Sequence, residues 1–152
     1  MLATDNPAIR DSVLAWLERF AGYVREVDYR SAREIVDENV LAFGTHRDVI
    51  SGLDPWMRTQ WGNVWPRTSD FRFSLDQAQV LVSPDGAMTV AVVPWTSTGY
   101  HKDMSPFDRP GRATMVLRKT ESGWICTHSH MSLNRGVPQE SHANRPVKAW
   151  KA

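Results

Sequence analysis

The hydrophobic period of this chain changes once, near Pro66, and that change limits the folds open to it. Before Pro66 the apolar residues recur at helical spacing, with Val13, Trp16, Leu17, Phe20, Val24 and Val27 on one stripe. After it they alternate or run on as β-prone segments. Asn6-Pro7 starts the first helix, because Asn can cap free N–H groups and Pro fits the first helical position, where no donor is required. Asp28 and Ser31 can cap a second, shorter helix carrying Ala32, Ile35 and Val36, and Val40 to Thr45 reads as a short strand. Asp54-Pro55 repeats the cap-then-proline pattern and opens a third helix with Met57, Trp61, Val64 and Trp65 on one face, which Pro66 ends.

Beyond Pro66 the chain reads as sheet. Phe71, Phe73 and Leu75 alternate with polar residues, Ser83-Pro84-Asp85-Gly86 is a turn, and Ala87 to Thr98 is a long β-prone run. A loop from Gly99 to Gly111 precedes a hairpin, Arg112 to Lys119 and Trp124 to Asn134, around Glu121-Ser122-Gly123. Helices first and four antiparallel strands last make an α+β layout. The expected organisation is one domain over residues 1–134 and a basic C-terminal tail over 135–152. There Arg145, Lys148 and Lys151 outnumber Glu140, and the tail is expected to be a mobile or partner-clasping arm.

A chain of 152 residues buries roughly 70% of its unfolded surface, enough for one core without staples, and Cys126 has no disulfide partner within the chain. The net charge of +1 argues against a nucleic-acid partner. No apolar run approaches the ~20 residues of a membrane span, and Met1 to Arg10 lacks an apolar signal core. No membrane partner is expected, and a cytoplasmic location is.

Gly123-Trp-Ile-Cys-Thr-His-Ser-His-Met-Ser132, with Arg112-Ala-Thr-Met-Val-Leu-Arg118 before it and Ser51-Gly-Leu-Asp54 upstream, resembles the nuclear transport factor 2-like superfamily. It is most similar to the SnoaL-like branch and to the association (hub) domain of calcium/calmodulin-dependent protein kinase II. The resemblance covers Asn6 to Asn134. It implies a cone-shaped, curved antiparallel sheet packed on three N-terminal helices, usually dimeric, with a pocket at the open end. It does not fix a function, since the fold hosts isomerases, dehydratases, cyclases, hydrolases and non-catalytic binding modules.

Family sites carry over unevenly. Where ketosteroid isomerases place a carboxylate base and an oxyanion-binding tyrosine, this chain has Phe43-Gly44 and Phe20, and neither titrates. The His-Asp dyad of the scytalone dehydratase type finds its Asp in Asp28, but Arg67 to Phe73 supplies no histidine, and Asp28 also suits a helix cap. The hub domain's pocket histidine matches Trp56, two of its arginines match Met115 and Met131, and Val93-Pro94-Trp95 lacks the third. A pocket of Trp and Met favours apolar or aromatic ligands, because burying a carboxylate there without a cation is costly. The implied pocket comprises Trp56, Trp61, Trp65, Trp95, Met115, Ser129 and Met131, with Trp61 and Trp65 suiting core or pocket wall alike.

His128 and His130 are two apart on a strand and share a face with Cys126 and Ser132, while Ile125, Thr127, Ser129, Met131 and Leu133 take the other. A bulged turn at Gly123 adds Arg112, Thr114 and Val116 to the histidine face, and Ala113, Met115 and Leu117 to Met131. The expected dimer face is therefore Arg112, Thr114, His128, His130 and Ser132, with a homodimer that weakens near about pH 5 as the imidazoles charge. A zinc site on the His pair would need a third ligand from His46, His101, Cys126 or an acid with no recognisable spacing, and no metal or cofactor is expected. The leading reading is a homo-oligomeric domain binding a small apolar or aromatic molecule in the cone. One alternative is an isomerase, cyclase or dehydratase using Asp28 with His128, His130 or a loop histidine. Another is an interaction module with a vestigial cavity.

Overall fold

The computed structural model describes residues 2–45 and 48–148. His46, named above as a third zinc ligand, and Lys151, one of the tail cations, lie outside the described residues. After a two-residue strand, β1 (Leu2–Ala3), helix α1 (Pro7–Glu26) begins as its sequence requires: Asn6 Oδ1 accepts from the N–H groups of Ala8 and Ile9 at 3.0 and 3.3 Å. Its stripe of Val13, Trp16, Leu17, Phe20 and Val24 is buried. Helix α2 (Tyr29–Arg33) is capped by Asp28, whose carboxylate accepts from Ser31 N–H at 3.0 Å and Ser31 O–H at 2.8 Å. This helix lasts only five residues, so Val36, expected on it, opens strand β2 (Val36–Phe43) instead.

After β3 (Ile50–Ser51) the third helix starts two residues earlier than the Asp-Pro pair suggests. Gly52, at φ 99°, occupies the cap position without a side-chain bond, and Asp54 lies within the first turn of α3 (Leu53–Trp56). There its charge suits the positive end of the helix. A π-turn (Met57–Trp61) and α4 (Gly62–Val64) continue the helix, and Pro66 sits in a closing 3-10 turn (Trp65–Arg67).

The remaining strands are β4 (Ser69–Phe73), β5 (Gln79–Val82), β6 (Met88–Tyr100), β7 (Pro106–Asp108), β8 (Gly111–Thr120) and β9 (Gly123–Leu133). They build a sheet in the order β1-β5-β6-β8-β9-β2-β3, with β4 and β7 also paired to β6. All pairings are antiparallel except β2 with β9, which run parallel. A parallel neighbour needs a crossover rather than a hairpin, and here almost the whole domain lies between the two strands. The helices cover one face, where β6 buries Ala91, Val93, Trp95 and Ser97 while Val92 and Thr96 between them stay exposed.

The β8–β9 register decides where the histidines go. Arg112 pairs with Ser132, Thr114 with His130 and Val116 with His128, all on the face away from the helices. The next pair is Leu117 with Cys126, so a bulge at Thr127 turns Cys126 inward. The expectation that Cys126 shares the histidine face is thereby corrected, because an extra residue in one strand inverts the alternation beyond it. Cys126 is fully enclosed, and burial pushes its thiol up to about 12.

The tail does not hang free. From Asn134 it runs back along the domain, with His142 N–H bonded to Tyr100 O and Arg145 N–H to Pro66 O. The Arg145 guanidinium donates to three carbonyls: Thr68 at 2.5 Å, and Arg25 and Trp65 at 2.7 Å each. Two of these end helical segments, where a cation suits the local dipole. Removing the guanidinium leaves half-buried carbonyls without donors, so Arg145→Ala is expected to lower stability by about 2 kcal/mol in urea unfolding. An unchanged midpoint would show that the clasp contributes nothing. Cys126 is expected to resist iodoacetamide at pH 8 until the domain unfolds, and rapid native-state labelling would contradict its placement.

Candidate functional site

The site is the interior of the cone, lined by Phe20 and Val24 of α1, Trp56, Gln60, Trp61, Val64 and Trp65 of the third helix, and Phe71, Trp95 and Met131 of the sheet. Phe43, Gly44, Thr68 and Arg109 complete the wall. The lining is mainly aromatic and stacks on itself: Trp61 lies 4.4 Å from Trp65 between ring centroids, and Trp56 lies 5.1 Å from Trp61.

The π-turn makes this possible. On a regular helix Trp56 and Trp61, five residues apart, would point about 140° away from each other. Here Gly62 N–H bonds to Met57 O, five residues back, and the extra residue in the turn brings Trp61 round beside Trp56. The same turn directs Gln60 into the cavity. A Cβ at position 44 would strike the Gln60 side chain, so Gly44 is what lets the amide approach β2.

Thr45 joins the polar edge together. Its Oγ1 accepts from Gln60 Nε2 at 3.1 Å and from Arg109 Nη2 at 3.3 Å, and its carbonyl accepts from Gln139 of the tail. Arg109 is only 3% exposed, and burial lowers its pKa to about 10, so it remains a cation at neutral pH. Among the described residues, seven buried side-chain nitrogen or oxygen atoms lack a hydrogen-bond partner. Five of them line this cavity: Nε1 of Trp56, Trp61 and Trp95, Nε of Arg109 and Oε1 of Gln60. The enclosed free space is small, about 30 Å³. A second space of about 100 Å³ shares Val64, Thr68 and Arg109 with it and lies beneath Gln139, Glu140 and Ser141.

Of the residues that the sequence suggests for the pocket, Trp56, Trp61, Trp65, Trp95 and Met131 stand on its wall. Met115 and Ser129 lie on the same sheet face but in the closed core, where Ser129 O–H donates to Met115 Sδ at 3.2 Å. Asp28 is engaged as the α2 cap and does not line the cavity. His128 and His130 stand on the outer face, His128 with Nδ1 2.8 Å from Leu41 O and His130 against the Phe43 ring at 4.9 Å. Arg112, Thr114 and Ser132 share that face and, with His130, line a groove of about 490 Å³. The structure thus does not bring Asp28 together with either histidine. Among the described residues no three His, Cys, Asp or Glu side chains gather at metal-binding distance, and no helix is long and apolar enough to cross a membrane.

Arg109, Gln60 and Thr45 are the site residues that the sequence does not announce. Arg109 sits in an Asp-Arg-Pro-Gly loop that reads as exposed, and Gln60 faces inward only because of the π-turn.

Solved structures share this architecture. A nuclear transport factor 2-like superfamily protein from Salmonella enterica serovar Typhimurium aligns over 86% of this chain and 95% of its own, with 20% identity and a TM-score of 0.71. The association domain of calcium/calmodulin-dependent protein kinase II from C. elegans aligns over 82% and 95%, with 14% identity and a TM-score of 0.68. A ketosteroid isomerase-like protein from Erwinia carotovora atroseptica aligns over 86% and 98%, with 13% identity and a TM-score of 0.67. At these identities the likeness establishes the fold alone. A search of curated proteins finds no match. The model of the SnoaL-like domain matches residues 13–135, nearly the whole of the cone just described, and the chain belongs to the SnoaL-like family.

Proposed function

We propose that this chain is a homodimeric binding domain that takes a small, flat, apolar or aromatic molecule bearing hydrogen-bond acceptors into its cone. The observation that carries the reading is the gathering of five partnerless polar atoms on one aromatic wall. Each such atom costs about 1–3 kcal/mol while it stays unsatisfied. A core serving only to fill space would gain by replacing these side chains with apolar ones. A guest with acceptor atoms satisfies the donors, and its flat body stacks on Trp61 and Trp65.

The free space of about 30 Å³ describes a closed form. An apolar cavity of about 150 Å³ accepts benzene, so a guest of one ring requires this interior to widen. The wall most able to yield is the polar edge of Gln60 and Gln139, toward the space beneath the tail. The same small volume favours a second reading, an interaction module whose cavity has closed. Among the described residues no acid-base pair reaches the cavity, and neither reading uses Asp28, His128 or His130 as a catalyst.

The outer sheet face supports self-association. Leu41 and Phe43 are exposed beside His128 and His130, Val92 is exposed next to the groove, and Arg112, Thr114 and Ser132 supply hydrogen-bonding groups between them. A mixed face of this kind suits a second copy related by a two-fold axis. The likeness to a kinase association domain points the same way.

Titrating the tryptophan emission with single-ring aromatics, fused-ring aromatics and a steroid is expected to give a saturable change with at least one class, and a matching rise in Tm. No change in emission or Tm across the set favours the closed module instead. Sedimentation at micromolar concentration and pH 7.5 is expected to show a dimer, and Thr114→Glu, which buries a charge at the centre of the face, a monomer. A wild-type monomer, or a variant that stays dimeric, would remove the outer face from the account.

A further inference from the structure

We infer that the cone contains an anion subsite, in which the buried Arg109 guanidinium, with the partnerless indole N–H groups of the same wall, receives the carboxylate of a single-ring aromatic acid. This rests on the cone being a binding site and adds the charge of its ligand. It reverses the expectation that a Trp- and Met-lined pocket lacks a cation.

Arg109 is held in place by its backbone. Its N–H bonds to Ser97 O at 2.9 Å, and Ser97 O–H returns to Arg109 O at 2.7 Å. These bonds hold the residue against β6, in the short connection between β7 and β8, and its side chain reaches the cavity wall. The positive charge there is uncompensated. Among the described residues the ion pairs are Arg25 with Glu18, Arg33 with Asp54, Arg118 with Asp37 and Lys148 with Glu26, and no carboxylate lies within 4.0 Å of Arg109. Among the described residues the guanidinium hydrogen-bonds Thr45 through Nη2–H at 3.3 Å, while Nε–H is buried and unpaired. The guanidinium carbon lies 5.8 Å from the centre of the Trp95 ring, close enough for a cation–π attraction. That attraction leaves the N–H groups unsatisfied.

The rest of the wall has the same bias. Among the described lining residues, three indole donors and one guanidinium donor are buried without a partner, against a single such acceptor, Gln60 Oε1. An environment short of acceptors and carrying a buried cation recognises an anion before it recognises a neutral polar group. A planar carboxylate can take two guanidinium N–H groups at once, and an attached ring continues into the Trp61–Trp65 stack. A neutral analogue of the same shape supplies acceptors but leaves the charge buried and unpaired, so the discrimination is large.

The test uses benzoate and benzamide, near-isosteric and different in charge, with the whole chain at pH 7.5 by calorimetry. Benzoate is expected to bind at least tenfold more tightly than benzamide. Arg109→Met is expected to remove that preference while its ligand-free Tm stays equal to or above the wild type, since it deletes an unpaired buried charge. Arg109→Lys, which keeps the charge without the planar fork, should recover part of the preference. Equal binding of the two probes to the wild type overturns the anion subsite and leaves the cone reading standing. Binding of neither probe, nor of any aromatic, overturns both. Phosphate binding more tightly than benzoate overturns the carboxylate assignment. An Arg109→Met protein that is destabilised and still prefers benzoate gives Arg109 a structural role and overturns the inference; should it not fold, the wild-type comparison decides alone.

Discussion

The phenyl ring of Phe20 holds the domain together. It stacks on Trp16 at 5.2 Å and approaches Trp56, Trp61 and Trp65 at 6.4, 6.1 and 5.7 Å. One side chain of α1 therefore ties the first helix to the third, and the third helix carries most of the cavity wall. Aromatic pairs of this geometry contribute about 0.5–1.5 kcal/mol each beyond the area they bury. The stack also explains why the third helix tolerates a π-turn. The regular hydrogen bonds it gives up are offset by bringing Trp61 between Trp56 and Tyr29. Without the turn, Trp61 and Gln60 would leave the interior, and the cone would lose both its floor and one side of its polar edge.

The elements legible in the sequence are those whose signals are local. Asn6-Pro7 and the apolar stripe give α1 to within a residue at its start, and Glu121-Ser122-Gly123 gives the β8–β9 hairpin, in which Thr120 pairs with Gly123. The features that escape it depend on distant partners. The bulge expected at Gly123 lies instead at Thr127, where it turns Cys126 inward and sets His128 and His130 on the outer face. The parallel pairing of β2 with β9 joins the two ends of the domain. Arg145 finds acceptors in segments that precede it by 77 to 120 residues, so the tail reads as a free basic arm until those carbonyls are placed.

The candidate site divides in the same way. Its tryptophans follow from helix and strand spacing together with a family resemblance, and they fall on the wall. Its polar residues follow from neither. Arg109 is buried because Ser97 on β6 holds the loop by both backbone groups, and the loop sequence carries no trace of that contact. A pocket read only from its regular elements therefore looks purely apolar. The buried cation arrives on an irregular segment, where binding residues often lie.

The central claim is that the unpaired donors inside the cone are kept for a ligand. Nitrogen-proton correlation spectra of the tryptophan side chains, recorded as benzoate is added, test it most directly. Among the described residues Trp56, Trp61 and Trp95 have no partner for their indole N–H groups, whereas Trp124 already donates to Ser12 at 2.8 Å and stands outside the cavity wall. The account predicts that the first three signals move together and saturate while Trp124 stays in place. Signals that all stay fixed, or a Trp124 signal that moves as far as the others, would contradict it.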